Sequence, residues 1–133
     1  MFLLDTDVIS ALRKWVGVSN LTVWMEAQRP SDLYISVVSV GEMERGIARQ
    51  RRRNPDFART LAAWLDSVLL VYGDRILPVD LAVARRWGML SGALGHDNTD
   101  LFIAATALEH GLTVVTRNVR HFEPTGVPVL NPF

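Results

Sequence analysis

Three acidic residues, Asp5, Glu42 and Asp100, carry the chemistry that this sequence could perform. Asp5 closes the run Met1-Phe2-Leu3-Leu4 with no loop between, inside Leu4-Asp5-Thr6-Asp7-Val8-Ile9-Ser10. Four apolar residues read as a buried strand. A carboxylate taken into a core costs several kcal/mol unless something compensates it. No basic residue occurs before Arg13, so the partner is a metal ion or a network of donors. Glu42 lies in Ser39-Val40-Gly41-Glu42, just after a second apolar run. Asp100 lies in Asp97-Asn98-Thr99-Asp100, just before the apolar stretch 101–108.

Each of the later acids also has a plainer reading. Ser39…Glu42 has the spacing of a capping box, and Asp97…Asp100 has a similar spacing. Acids in a first helical turn are favoured by the helix dipole, by about 0.3–1 kcal/mol. Asp7 suits the N-cap of the first helix. Jointly, however, several acids at one edge of one parallel sheet repel unless a divalent cation holds them. Mg²⁺ takes oxygen ligands in octahedral geometry, often one or two carboxylates plus a phosphate. The chemistry this supports is hydrolysis of a phosphodiester by water activated on the ion.

Elements must bring these acids together. The pattern predicts a strand at 1–4, a helix at 6–16 broken near Gly17, and a helix at 21–27 stopped by Arg29-Pro30. Residues 33–37 are β-branched and aromatic and read as a strand, followed by a helix at 39–50. Asn54-Pro55 opens a helix running to Tyr72, with Phe57, Leu61, Trp64, Leu65 and Val68 as its apolar stripe. A short strand at 76–79 precedes a helix capped by Asp80 and running to about residue 94. A helix at 98–110 ends at Gly111. Residues 112–116 are continuously apolar, as expected of a strand covered on both faces, and 127–130 read as a last short strand. The alternation predicts an α/β fold: a three-layer α-β-α sandwich around a parallel sheet of about four to five short strands. The length suits a single domain over residues 1–133.

Composition narrows the function. Apolar content of 49% argues against disorder. The absence of cysteine excludes disulfides, thiolate catalysis, cysteine-ligated zinc and iron–sulfur centres. No apolar run approaches the ~20 residues of a membrane span. The N-terminal run has no basic flank and is cut short by Asp5, unlike a signal peptide, so the expected location is the cytoplasm. A net charge of zero argues neither for nor against nucleic acid. All the basic side chains but Lys14 are Arg. Arg49-Gln50-Arg51-Arg52-Arg53, with Arg45 and Arg59 nearby, reads as an RNA phosphate-tracking surface or as a solvated helix C-terminus. Only Phe57 offers a stacking ring there. His96, His110 and His121 lack zinc-ligand spacing; His110 reads as a helix end and His96 as a loop residue. Trp15, Trp24, Trp64 and Trp87 read as core or dimer-interface packing. No Walker loop, dinucleotide fingerprint or serine-nucleophile elbow is present.

Several segments, in order, resemble the PIN-domain proteins, and more narrowly the VapC and FitB toxins of bacterial toxin–antitoxin pairs. They are Leu3-Leu4-Asp5-Thr6-Asp7-Val8-Ile9-Ser10, Val40-Gly41-Glu42-Met43-Glu44-Arg45-Gly46, Arg75-Ile76-Leu77-Pro78-Val79-Asp80, Asp100-Leu101-Phe102-Ile103-Ala104-Ala105-Thr106-Ala107, Thr113-Val114-Val115-Thr116-Arg117-Asn118-Val119 and Asn131-Pro132-Phe133. The resemblance implies a metal-dependent endoribonuclease in which Asp5, Glu42 and Asp100 bind Mg²⁺ or Mn²⁺. It also implies a cognate antitoxin covering the acidic pocket, an RNA substrate, and a homodimer that can join the antitoxin in a larger hetero-oligomer. Asn118, Asp97, Asp7 and His121 are further site candidates, and Arg49, Arg51, Arg52 and Arg53 are the candidate RNA-binding residues.

Two positions depart from the family pattern. The first motif usually reads Asp-Thr-Asn, and Asp7 replaces the Asn. The late motif usually reads Thr-Arg-Asn-x-x-Asp-Phe, and His121 stands where the acid is expected. The second change puts a second metal site in doubt. Two rival functions follow from the same residues. Asp5-Thr6-Asp7-Val8 also fits the opening of a haloacid-dehalogenase-type phosphatase, although the only Lys is Lys14 and residues 95–100 follow a helix. A non-catalytic PIN domain that binds RNA or a partner is the other.

Overall fold

The architecture is known from a computed structural model, which describes residues 1–14 and 19–133. The expected end of the first helix at residue 16, the break at Gly17 and the role of Trp15 lie outside the described residues. Five parallel strands, β1 (Phe2–Leu4), β2 (Leu33–Ser36), β3 (Ile76–Leu77), β4 (Thr113–Val115) and β5 (Val129–Leu130), form one sheet in the order β3-β2-β1-β4-β5. The helices are α1 (Thr6–Lys14), α2 (Asn20–Glu26), α3 (Val37–Arg53), α4 (Pro55–Tyr72), α5 (Leu81–Leu94), α6 (Asp100–His110) and α7 (Val119–Phe122).

The alternation of side chains along the strands builds two cores. Leu4, Leu33, Ile35 and Val115 point to one face, where they pack with Val8, Ile9, Leu21, Met43, Ile47 and Leu65 of α1 to α4. Leu3 and Val114 point to the other, against Ile103, Ala104, Ala107 and Phe122 of α6 and α7, with Leu90 of α5 packed at the margin. These are the three expected layers. Both faces of β1 are buried, so its unbroken apolar run is explained.

Helix boundaries follow local chemistry where a cap is strong. Asn54 accepts from the Phe57 N–H at 3.1 Å, and Asp80 accepts from the Val83 N–H at 2.9 Å. Gly111 ends α6 at φ 65°, a conformation that a side chain disfavours.

Two starts differ from the sequence-based expectation. Helix α3 begins at Val37 rather than 39, because Ser36, the last residue of β2, is its cap and accepts from the Val38 N–H at 3.0 Å. Ser39 and Glu42 therefore do not form a capping box. Helix α6 begins at Asp100 rather than 98, because the Asn98 side chain accepts from the Asp100 N–H at 3.0 Å and holds a turn before the helix. Asp97 is not the cap. The strands are also shorter than expected, and α7 lies in a stretch for which no element was anticipated.

Candidate active site

The chain leaves β1 at the centre of the sheet and fills one side with β2 and β3 before returning to the other with β4 and β5. The order reverses between β1 and β4. In open parallel sheets, ligands bind at the carboxyl ends of the strands beside such a reversal. Asp5 follows β1 there, and Thr116, Arg117 and Asn118 follow β4.

Asp5 joins strand to helix with no intervening residue. Its N–H donates to the Val115 carbonyl at 2.9 Å, and its own carbonyl accepts from the N–H groups of Val8 and Ile9. The residue is 4% exposed. One carboxylate oxygen accepts from the Thr6 N–H at 2.8 Å, and the other from the Thr116 hydroxyl at 2.9 Å. These donors do not offset its surroundings. Burial, followed by the neighbouring charges of Asp7 and Asp100, pushes the Asp5 carboxyl from 3.8 up to about 7.

The other candidates surround it. Asp7 is not the cap of α1. It sits inside the first turn and reaches across to the loop after β4, where its Oδ2 accepts from the Arg117 N–H at 3.1 Å and the Asn118 side-chain amide at 3.3 Å. Its Oδ1 is buried without a hydrogen-bond partner among the described residues. Burial is the main cause raising its pKa, opposed by the Arg117 N–H. Glu42, on the second turn of α3, accepts from the Thr6 hydroxyl at 2.8 Å. That hydroxyl also lies 2.8 Å from Ser39 Oγ. A hydroxyl has one proton and an ionised carboxylate has none, so Thr6 donates to Glu42 and Ser39 supplies the other bond. Asp100 opens α6 and has one oxygen 3.0 Å from His121 Nδ1.

Asp5, Asp7, Glu42, Asp100, Asn118 and His121 are thus gathered at one edge of the sheet. Asp97, His96, Asp100 and His121 line one cleft of it, and Glu42 faces a second with Thr6, Ser10 and Arg13. The acids do not form a closed cage: among the described residues, no three carboxylate or imidazole side chains converge on a single ion. What fits a divalent cation is the donor set. It consists of oxygens of one sign, one of them an orphaned buried carboxylate oxygen, with Asp5 repelled by Asp7 and Asp100.

Thr6, Ser39 and Thr116 were missed as site residues. Thr6 links Asp5 to Glu42, and Thr116 both donates to Asp5 and accepts from the Asn118 N–H at 2.9 Å. Thr6 and Thr116 fall inside the matching motifs, but nothing local reveals partners on other elements.

Arg49, Arg51, Arg52 and Arg53 are exposed on the last turns of α3. Arg49, Arg52 and Arg53 line a shallow groove that shares Gly46 and Gln50 with the Glu42 cleft. Arg59 is engaged in an ion pair with Asp56, and the Phe57 ring carries the Arg13 guanidinium at 5.4 Å from its centroid. Trp87 stacks on Phe102 with centroids 4.6 Å apart, and Trp24 meets Phe2 edge-on.

Residues 2–126 match the model of the PIN domain. The chain belongs to the PIN-domain family. Its relatives include a VapC ribonuclease, Y4jK, of Sinorhizobium fredii, 34% identical with 100% of this chain and 98% of the relative covered. The toxin FitB of Neisseria gonorrhoeae is 33% identical, with 100% and 99% covered. The crystal structure of FitAcB from Neisseria gonorrhoeae superposes with a TM-score of 0.86 at 33% identity, over 99% of this chain and 98% of that one. This parentage removes the phosphatase as a reading of Asp5-Thr6-Asp7-Val8.

Proposed function

We propose that this protein is a divalent-metal-dependent endoribonuclease and the toxin of a toxin–antitoxin pair. The observation that carries the proposal is Asp5: a carboxyl almost wholly buried beside the strand-order reversal, raised by burial and by two neighbouring acids. A structural acid would be expected to have an oppositely charged side chain close by. The likeness to a VapC ribonuclease and to the FitB toxin supports the same activity and a protein antitoxin as partner.

Asp5, Glu42 and Asp100 would hold Mg²⁺ or Mn²⁺, with Asn118 and Asp97 at the margin. A bound cation supplies a water of lowered pKa and stabilises charge on the phosphoryl oxygens. The chain's own residues do the positioning. Thr6 holds Glu42 and Asp5 at opposite ends of one residue, and Thr116 fixes the second oxygen of Asp5. The Arg49, Arg52 and Arg53 groove runs into the Glu42 cleft and suits the phosphates of an RNA strand leading to the acids. An antitoxin covering the pocket would present a cationic side chain to it. A homodimer that assembles further with antitoxin, in the cytoplasm, completes the reading.

The test is cleavage of structured and unstructured RNAs with Mg²⁺, with Mn²⁺ and with EDTA, comparing wild type with Asp5→Asn. Cleavage is expected only in wild type with metal, with a loss of at least a hundredfold in the variant. Equal activity of the two proteins, or activity in EDTA, refutes the proposal. RNA binding without any cleavage supports a non-catalytic binder instead.

A further inference from the structure

We propose that Asp7 is a fourth metal-ligating carboxylate, which supplies from helix α1 the negative charge that position 121 lacks. The inference rests on the metal-dependent reading above. It starts from the two oxygens of Asp7, which are treated differently. Oδ2 is fixed by the Arg117 N–H at 3.1 Å and the Asn118 amide at 3.3 Å, with the Thr116 hydroxyl at 3.5 Å. Oδ1 is buried and meets no donor among the described residues. A buried charged oxygen left unpaired bears its full desolvation cost. The Arg117 guanidinium lies over the Phe133 ring, 4.0 Å from its centroid, and its charge offsets only part of the effect of burial on Asp7.

An asparagine at position 7 could keep the acceptor oxygen that Arg117 and Asn118 use. What the aspartate adds is a second oxygen and a negative charge. The carboxylate stands beside Asp5, since the Thr116 hydroxyl that donates to Asp5 lies 3.5 Å from Asp7 Oδ2. Asp100 is near enough for its charge to act on both. Placing like charges together is unfavourable unless a hard cation joins them, and such ions favour carboxylate oxygens. His121, whose backbone N–H donates to the Asn118 carbonyl, has its Nδ1 on Asp100 and brings no carboxylate of its own. The pair Asp7 and His121 therefore moves one acid from position 121 to position 7 while keeping the number of acids around Asp5.

The experiment measures Mn²⁺ binding without RNA, by the electron paramagnetic resonance signal of free Mn²⁺ and by the metal-induced rise in melting temperature. The proteins are wild type, Asp7→Asn, Asp7→Ser, His121→Asp and the double variant Asp7→Asn/His121→Asp. Melting in EDTA checks that each is folded. We expect Mn²⁺ affinity to fall at least tenfold in both Asp7 variants and to recover in the double variant. Wild-type affinity in a folded Asp7 variant overturns the ligand role and leaves the nuclease reading standing. Failure of the double variant to recover overturns the exchange with position 121. A folded wild type that binds no Mn²⁺ overturns the metal-dependent reading itself, and this proposal with it.

Discussion

At the scale of the residue, Asp5 governs both chemistry and stability. Its carboxyl is raised from 3.8 to about 7, chiefly by burial. Below the unfolded value, both states hold the proton. Between about 4 and 7, the unfolded chain releases it while the folded chain keeps it, so stability falls as pH rises through that window and levels off above it. The slope for one such group approaches about 1.4 kcal/mol per pH unit. Denaturant titrations of the metal-free protein in EDTA are expected to show this loss from pH 4 to 7, and Asp5→Asn should flatten it. Parallel profiles for the two proteins would contradict the assignment. Divalent metal should restore stability at the upper end. The importance of Asp5 was legible because four apolar residues precede it directly. The roles of Thr6, Ser39 and Thr116 were not, since a hydroxyl has no sequence signature for a partner 33, 36 or 111 residues away.

At the scale of the element, α3 serves two ends. Its start is joined to β2 through Ser36, which fixes where Glu42 stands, and its last turns carry the Arg run. Those arginines suit a helix C-terminus by charge alone. Only the groove shared with the Glu42 cleft separates an RNA track from a solvated end. Single-stranded RNA binding in EDTA, measured against salt, decides between them. Each lost phosphate contact should lower the slope of log affinity on log salt by about 0.7. Replacing Arg49, Arg52 and Arg53 with Ala is expected to weaken binding and flatten that slope; an unchanged slope would assign the run to solvation. Helix limits were readable at Asn54, Asp80 and Gly111, where one strong cap competes with nothing. They were misread at α3, where Ser36 and not Ser39 is the cap, and at α6, where Asn98 and not Asp97 holds the turn before the helix. Helix α7 spans Val119–Phe122, too short for a period of 3.6 to show.

At the scale of the whole molecule, the parallel three-layer fold was legible because β1, β2 and β4 are apolar on both faces. The strand order was not. It is set by which helices cover which face, and that emerges only when the two cores are seen on either side of Leu3 and Leu4. Phe122, fully buried in one of them, ties α7, which carries His121, to the sheet and so positions the cleft by packing.

The amide of Asp5 closes the parallel ladder on Val115, while its carbonyl opens α1. One residue is therefore shared by two cooperative units, and the chain has no slack with which to lose the pocket and keep the sheet. An opening that frees Asp5 is an opening of the hydrophobic interior, which ranks with the costliest fluctuations of a protein. In hydrogen–deuterium exchange, the Asp5 amide should be among the last to exchange, together with those of β1 and β4. Early exchange there would mean that the pocket breathes independently of the fold.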